Sequence, residues 1–259
     1  MSNRKLKLTL AVAAALLSGH SAAQDEEKKT TAAHASADLP DGFAVLEKHV
    51  EAIGGQKANM EIKGIQMIGT FAMPAMGLGG SIDIKMAAPN KRVMAINVEG
   101  MGAIDQGTDG KVAWTTQMPG TPPTMLEGEA AEEQIEDADF YARVKPREEY
   151  TSAENVGVFT HDDVKVYKLK LVDSRGNHSE ALYEVESGLL RKQSFKETAE
   201  STTFSSETEF NDYRAIQGEV KMPFQLEILS GQFGQTITFE KIVIDPEFDE
   251  SDFEAPGSL

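Results

Sequence analysis

Hydrophobic and polar residues alternate along residues 81–120 in the pattern that is typical of half-buried β-strands. The run is interrupted at Pro89–Asn90 and at Asp109–Gly110, which are turn-forming pairs where antiparallel hairpins need them. The pattern therefore predicts a meander of antiparallel strands, each with one apolar face. The apolar positions are Ile82, Ile84, Met86, Met94, Ile96 and Val98.

The same alternation predicts further strands on both sides of this meander. Residues 62–73 form one run, with Ile65, Met67, Phe71 and Met73 on one face. In the carboxyl-terminal half, turn residues separate successive runs at intervals of roughly ten residues, which is typical of antiparallel sheets in sequential order. The strands predicted there are Val166–Val172, Ala181–Val185, Leu189–Phe195, Thr202–Tyr213, Met222–Leu229 and Gln235–Ile244.

Two segments have helical periodicity instead. The first has apolar residues at spacings of three and four, with Asp41 as its N-cap and Gly54–Gly55 as its stop signal. The second, over residues 129–144, has a thin apolar stripe and an acidic opposite face, which predicts a helix on a surface. The proline-rich residues 118–128 before it predict a loop. The apolar positions of the first helix are Phe43, Leu46, Val50 and Ile53.

Together these elements predict a mainly β fold of the α+β type. We expect a curved antiparallel half-barrel of about 10–12 strands with a helical lid. Residues 41–259 are interpreted as a single domain, because no linker or internal repeat interrupts the pattern. Near its end, Phe248 and Phe253 are expected to dock a terminal strand.

The amino terminus indicates export. Residues 1–23 combine a basic start, an apolar core of about ten residues and a small-residue cleavage site that ends at Ala23, the features of a cleaved signal peptide. Residues 24–40 are charged, small and aperiodic, which predicts a disordered leader. We therefore expect an exported protein, and this type of signal suits bacteria with a periplasm.

Composition excludes several classes of partner. The chain has no cysteine, so it can form neither a disulfide nor a lipid-modified thiol. Its 42 acidic residues outnumber 25 basic ones, for a formal net charge of −17. Such a surface repels nucleic acid and anionic membranes, so we expect no nucleic-acid binding and no stable membrane insertion. We also expect a monomer.

Catalytic and metal-binding motifs are not found in the sequence. His161 and His178 fall in turn regions beside acidic residues, but neither belongs to a recognised metal-binding motif. No serine lies in a nucleophile elbow. Residues 105–116 resemble the start of a calcium loop, but Thr116 stands where a bidentate glutamate is needed. The sequence thus predicts a non-enzymatic protein with no catalytic residue, no metal site and no cofactor.

Apolar excess in the amino-terminal half is the remaining signal, and methionine contributes much of it. Flexible thioethers suit a surface that accommodates variable alkyl chains, but they also fill irregular cores, and both interpretations stay open. A curved sheet beneath a lid leaves a concave pocket, the usual form of a site for apolar ligands. We expect a ligand-binding apolar cavity lined by Met67, Phe71, Ile82, Ile84, Met86, Met94, Ile96 and Trp114.

Three short motifs resemble the periplasmic lipoprotein-localisation carriers and the wider outer-membrane lipoprotein-sorting group. These are residues 87–92 (AAPNKR), residues 109–114 (DGKVAW) and residues 252–257 (DFEAPG), the last similar to the closing strand and turn of the family. The resemblance implies an unclosed antiparallel half-barrel that holds acyl chains beneath a helical lid. In the dedicated carrier an arginine stands directly before the Pro-Asn pair, whereas this chain has Ala88 there.

On this resemblance we expect a periplasmic carrier that holds a lipid or acylated ligand. Because Ala88 replaces the arginine of the dedicated carrier, the chain is not expected to release lipoproteins from inner membranes in its place. The alternative is an envelope sensor or interaction module that uses the same fold to bind a protein partner.

Overall fold

The computed structural model describes residues 31–33, 39–199 and 202–255, which divide into two compact units. The first unit comprises residues 60–141 and 233–255, and the second comprises the described residues between 31 and 59 and between 142 and 232. Each unit contains seven antiparallel strands in an open, linear order, with a few short helices. The predicted mainly β, antiparallel fold is therefore confirmed, whereas the role of the helices as a lid stays a prediction.

In the first unit, strands follow one another in space almost as they do in sequence. The exception is the last strand, which pairs with the first and gives the order β14-β2-β3-β4-β5-β6-β7. The meander predicted from residues 81–120 is confirmed. The strands are β2 (Gly64–Met73), β3 (Leu78–Ala87), β4 (Lys91–Val98), β5 (Gly102–Thr108), β6 (Ala113–Thr115), β7 (Thr124–Met125) and β14 (Phe233–Ile244).

The second unit has the spatial order β1-β8-β9-β10-β11-β12-β13. Its long strands match the predicted ones, with boundaries that extend further into the turns. The strands are β1 (Thr31–Ala33), β8 (Tyr150–His161), β9 (Val164–Asp173), β10 (His178–Glu184), β11 (Leu190–Ala199), β12 (Thr202–Gln217) and β13 (Val220–Ser230).

Helices are short and few among the described residues. The α-helices are α1 (Gly42–Ala52), α2 (Gly55–Glu61), α3 (Glu129–Glu136) and α4 (Pro146–Glu149), and the 3₁₀ helices span Pro74–Met76, Ala142–Val144 and Glu250–Phe253.

The predicted first helix is confirmed as α1. The Asp41 carboxylate accepts a hydrogen bond from the Phe43 amide at 3.0 Å and so caps the helix, which ends before Gly54 in a left-handed conformation. Its apolar stripe packs into the core of the second unit. That core contains Val45, Leu46, Leu169, Leu171, Ala181 and Tyr183.

The predicted helix over residues 129–144 is wrong in its length, because α3 ends at Glu136. Beyond Asp137 the chain turns, and the amide of Phe140 donates to the carbonyl of Pro89 at 2.9 Å. The Phe140 side chain is buried there. A tertiary contact therefore replaces the last helical turns. The thin apolar stripe of this segment stabilises a longer helix only weakly.

The segment after β14 forms a 3₁₀ helix rather than the expected terminal strand. Asp249 and Asp252 form a capping box that closes this turn, and Phe253 is buried. Phe248 contacts Phe253 edge to face, with ring centroids 5.1 Å apart. The two aromatic rings dock as predicted, although the backbone between them is helical.

Part of the leader also differs from expectation, since Thr31–Ala33 pair with Val158–Thr160 as strand β1. The proposed signal peptide lies outside the described residues. None of the described helices has the length and apolarity needed to cross a membrane.

Candidate functional site

One face of the sheet in the first unit brings apolar side chains together from three successive strands. Met67 of β2 lies opposite Ile84 of β3, which lies opposite Met94 of β4. Two residues further along β3, Ile82 lies opposite Ile96. Directly opposed residues share a face of a sheet, so these five side chains form one surface, and each is at most 7% exposed.

Phe71 and Met86 extend this surface toward opposite ends of the strands. Phe71 lies opposite Gly80, where an added Cβ would sit 2.9 Å from the Phe71 ring. The glycine therefore leaves room for the ring. Met86 is half-buried at the other end, opposite Ile65. We call these seven residues the apolar face: Met67, Phe71, Ile82, Ile84, Met86, Met94 and Ile96.

Trp114 does not belong to the apolar face, contrary to the expectation from sequence. It lies opposite Gly107, which lies opposite Val93, and Val93 points away from its neighbour Met94. A Cβ added to Gly107 would lie 2.7 Å from the Trp114 ring, so the indole packs across the glycine. Trp114 is fully buried on this opposite face, and in the described part of the chain its Nε1 has no hydrogen-bond partner.

A half-buried guanidinium borders the apolar face. Arg92 lies opposite Met86, and its Nη1 donates to the carbonyl of Asp137 at 2.8 Å. Burial lowers the pKa of Arg92, and the nearby Asp137 opposes that change. Since Asp137 follows the last residue of α3, Arg92 attaches the end of this helix to β4.

A second contact fixes α3 against the sheet. The Gln134 side-chain amide donates to the carbonyl of Gly107 at 2.6 Å and to that of Trp114 at 3.0 Å. Arg92 is thus a basic side chain that reaches the end of α3, whereas the methyl group of Ala88, before the Pro-Asn pair, offers no hydrogen-bond donor. The local motif did not reveal this role, because Asp137 is distant in sequence.

The opposite face of the same sheet is covered by the carboxyl-terminal segment. Lys85 forms an ion pair with Asp252, and Lys91 forms one with Glu250 at 2.7 Å. Hydrogen bonds from these lysines lower the pKa of Asp252 and of Glu250. The face opposite the apolar face therefore carries both the buried Trp114 and lysines that pair with the carboxyl-terminal segment.

The chemistry available on the apolar face is binding rather than catalysis. Its side chains are aliphatic, thioether and aromatic, which contact alkyl groups well but neither exchange protons nor attack a substrate. The three strands that carry them are held by continuous antiparallel ladders, so the surface is built into the sheet.

Comparison with solved structures identifies the architecture. A LolA superfamily protein from Nitrosomonas europaea matches with a TM-score of 0.53 at 14% identity, covering 83% of this chain and 98% of that one. The chain has a LolA-like fold. A DUF1329 family protein from Desulfovibrio piger matches with a TM-score of 0.59 at 10% identity, over 83% of this chain and 98% of that one.

A putative outer-membrane lipoprotein-sorting protein domain from Vibrio parahaemolyticus also matches, with a TM-score of 0.46 at 13% identity, over 80% of this chain and 97% of that one. No family model and no curated protein matches the chain. At these identities the likeness establishes the LolA-like fold alone.

Proposed function

We propose that this chain is a non-enzymatic protein of the bacterial envelope that binds a lipid or an acylated ligand on its apolar face. The observation that carries the proposal is the register of β2, β3 and β4, which places aliphatic and thioether side chains in one continuous patch. Methionine supplies three of its seven members, and its flexible side chain adapts to alkyl chains of different shape. The LolA-like fold and the predicted signal peptide are consistent with this role.

Binding is tested with a fluorescent fatty-acid probe and with the pair Ile96→Glu and Asn97→Glu. The two positions are adjacent on β4, but Ile96 is buried on the apolar face and Asn97 is exposed on the other. A carboxylate on the apolar face must give up its bound water when an apolar ligand covers it, and this desolvation opposes binding. We therefore expect probe affinity to fall by about tenfold or more in Ile96→Glu and to stay unchanged in Asn97→Glu.

Met86→Gln serves as the milder variant, because Met86 is half-buried and its replacement disturbs the core less. We expect a smaller loss of probe affinity with unchanged circular dichroism. Equal losses in Ile96→Glu and Asn97→Glu, or no probe binding by the unmodified protein, would contradict the proposal. Because Trp114 lies on the opposite face, the probe's own emission is the appropriate signal.

Two further measurements distinguish a bound lipid from a lipoprotein cargo and from an enzyme substrate. Native mass spectrometry after gentle purification should detect a co-purifying lipid. In a release assay with inner-membrane vesicles we expect no efficient release of lipoproteins, since Ala88 offers no donors to a lid. Efficient release would identify a lipoprotein carrier instead, and hydrolysis of the added lipid would identify an enzyme.

A protein partner is the second candidate function. Three methionines of the first unit, Met101, Met118 and Met125, are between 43% and 59% exposed, and thioethers are common on surfaces that bind varied partners. Co-purification of an envelope protein, lost on replacing these methionines by Gln, would favour this candidate.

A further inference from the structure

A histidine and two carboxylates meet in the second unit, in a place that the sequence did not reveal. His161 is the last residue of β8, Asp162 begins the turn to β9, and Glu209 lies within β12. The ligand atoms of these three side chains all lie within 4.8 Å of one another. Their convergence comes from the fold, because β8 and β12 are not neighbours in the strand order.

The turn that presents Asp162 has a defined conformation. Asp162 and Asp163 have φ values of 46° and 63°, so both residues of this two-residue hairpin are left-handed, as a type I′ turn requires. Aspartate tolerates this conformation better than most residues. Asp162 is thereby placed next to His161 at the end of the strand.

The distances around the imidazole fit a shared cation better than hydrogen bonds. His161 Nε2 lies 3.5 Å from Glu209 Oε1 and 3.8 Å from Asp162 Oδ2. Hydrogen bonds of this type are about 2.7–3.2 Å long, whereas two ligands of one tetrahedral metal ion lie about 3.4 Å apart when each bond is near 2.1 Å. The His161 side chain is only 3% exposed, and its Nε2 faces both carboxylates at these distances.

Charged side chains of both signs lie beside the cluster. Lys192, which lies opposite Glu209 in the register of β11 and β12, forms an ion pair with Glu207, and Glu227 of β13 lies opposite Glu209 on the other side. The two carboxylates of the cluster itself supply negative charge that a bound divalent cation would offset.

We propose that His161, Asp162 and Glu209 form a binding site for a divalent first-row transition ion such as Zn²⁺. One imidazole nitrogen and two carboxylate oxygens are ligands that these ions accept, while the remaining coordination positions are taken by water. Mg²⁺ and Ca²⁺ prefer oxygen-only sites and are expected to bind much more weakly. The ion ties the β8–β9 turn to β12 and stabilises the second unit, because it binds the folded chain preferentially.

The test uses the full, untagged chain after treatment with a chelator. In calorimetric titration with Zn²⁺ we expect affinity to fall by at least about tenfold in His161→Gln and in Glu209→Gln. His178→Gln is the matched control, since His178 is an exposed histidine at the start of β10, and its Zn²⁺ affinity should equal that of the unmodified chain.

Asp162→Asn keeps the test decisive if the buried variants fail to fold, because Asp162 is 45% exposed and lies in a turn. Zn²⁺ should raise the thermal midpoint of the unmodified chain, Asp162→Asn should reduce that rise, and Mg²⁺ should cause none. Equal Zn²⁺ affinity in all variants, or an unchanged midpoint with Zn²⁺, would overturn the proposal and leave His161 as the centre of an ordinary ion pair.

Discussion

Acid should destabilise this protein through His49, a histidine of α1. Its Nδ1 lies 3.1 Å from the carbonyl of Gly188, to which the neutral ring donates, and its ring lies 5.3 Å from that of Tyr183. Burial lowers the pKa of His49 from 6.5 to about 4, and the hydrogen bond to Gly188 only partly opposes this change. The fold therefore requires a neutral imidazole at this position.

The consequence for stability follows from the two pKa values. Well above pH 6.5 the His49 ring is neutral in both the folded and the unfolded chain, so its contribution to the free energy of unfolding is fully present. As the pH falls from 6.5 toward 4, the unfolded chain gains a proton at this ring and the folded chain does not, so that contribution is lost. At about 1.4 kcal/mol per pKa unit, the free energy of unfolding should fall by about 2 kcal/mol at about pH 5 and by about 3 kcal/mol when the change is complete.

Urea unfolding followed by circular dichroism at about pH 7.5 and about pH 5 measures this difference, a range in which ordinary carboxylates change little. His49→Asn keeps a side-chain donor near Gly188 but cannot become charged, so its free energy of unfolding should lose about 2 kcal/mol less over the same range. His178→Asn, at an exposed position, should behave like the unmodified chain. If His49→Asn and the unmodified chain lose equal stability, His49 is not the group responsible.

Two further predictions concern contacts in the first unit. Phe253→Ala should lower the free energy of unfolding by about 3–5 kcal/mol, as expected for a fully buried aromatic ring, and Phe248→Ala should lower it by less. Urea unfolding followed by Trp114 fluorescence measures both losses. Equal losses in the two variants would refute this account of the carboxyl-terminal segment. Arg92→Met should speed hydrogen exchange in residues 129–140 without affecting residues 150–161, because the contact with Asp137 is lost. The control Lys91→Met removes an exposed ion pair and should leave the amides of α3 protected from exchange. Unchanged exchange in Arg92→Met would show that the contact with Asp137 is not needed to hold the helix.

Elements fixed by neighbouring residues could be predicted from the sequence. Asp41 caps α1 through an amide two residues away, and the alternation around Ile82 and Ile84 places both on one face whatever strand pairs with them. The face of Trp114 could not be predicted in this way. It depends on the register of the three-residue strand β6, where a shift of one residue would move the indole to the apolar face.

Contacts between distant residues were likewise outside the reach of sequence patterns. The end of α3 depends on the amide of Phe140 finding Pro89, and the convergence of His161 with Glu209 depends on how β8 and β12 lie in the second unit. Neither residue pair belongs to a local motif. Tertiary structure is what gives these side chains their partners.

The first unit is discontinuous in sequence, and this affects the order in which it can form. Strand β2 pairs with β3 across a short connection and with the distant strand β14 on its other side. Phe71 can therefore pair with Ile237 only after all of the intervening residues have been synthesised. During synthesis, β2 to β7 emerge long before their last strand does. Until then one side of β2 is an unpaired edge beside exposed apolar residues, a state that favours aggregation and slow folding. A chaperone that shields this edge would have its greatest effect on the nascent chain, and truncation before residue 233 should yield insoluble protein.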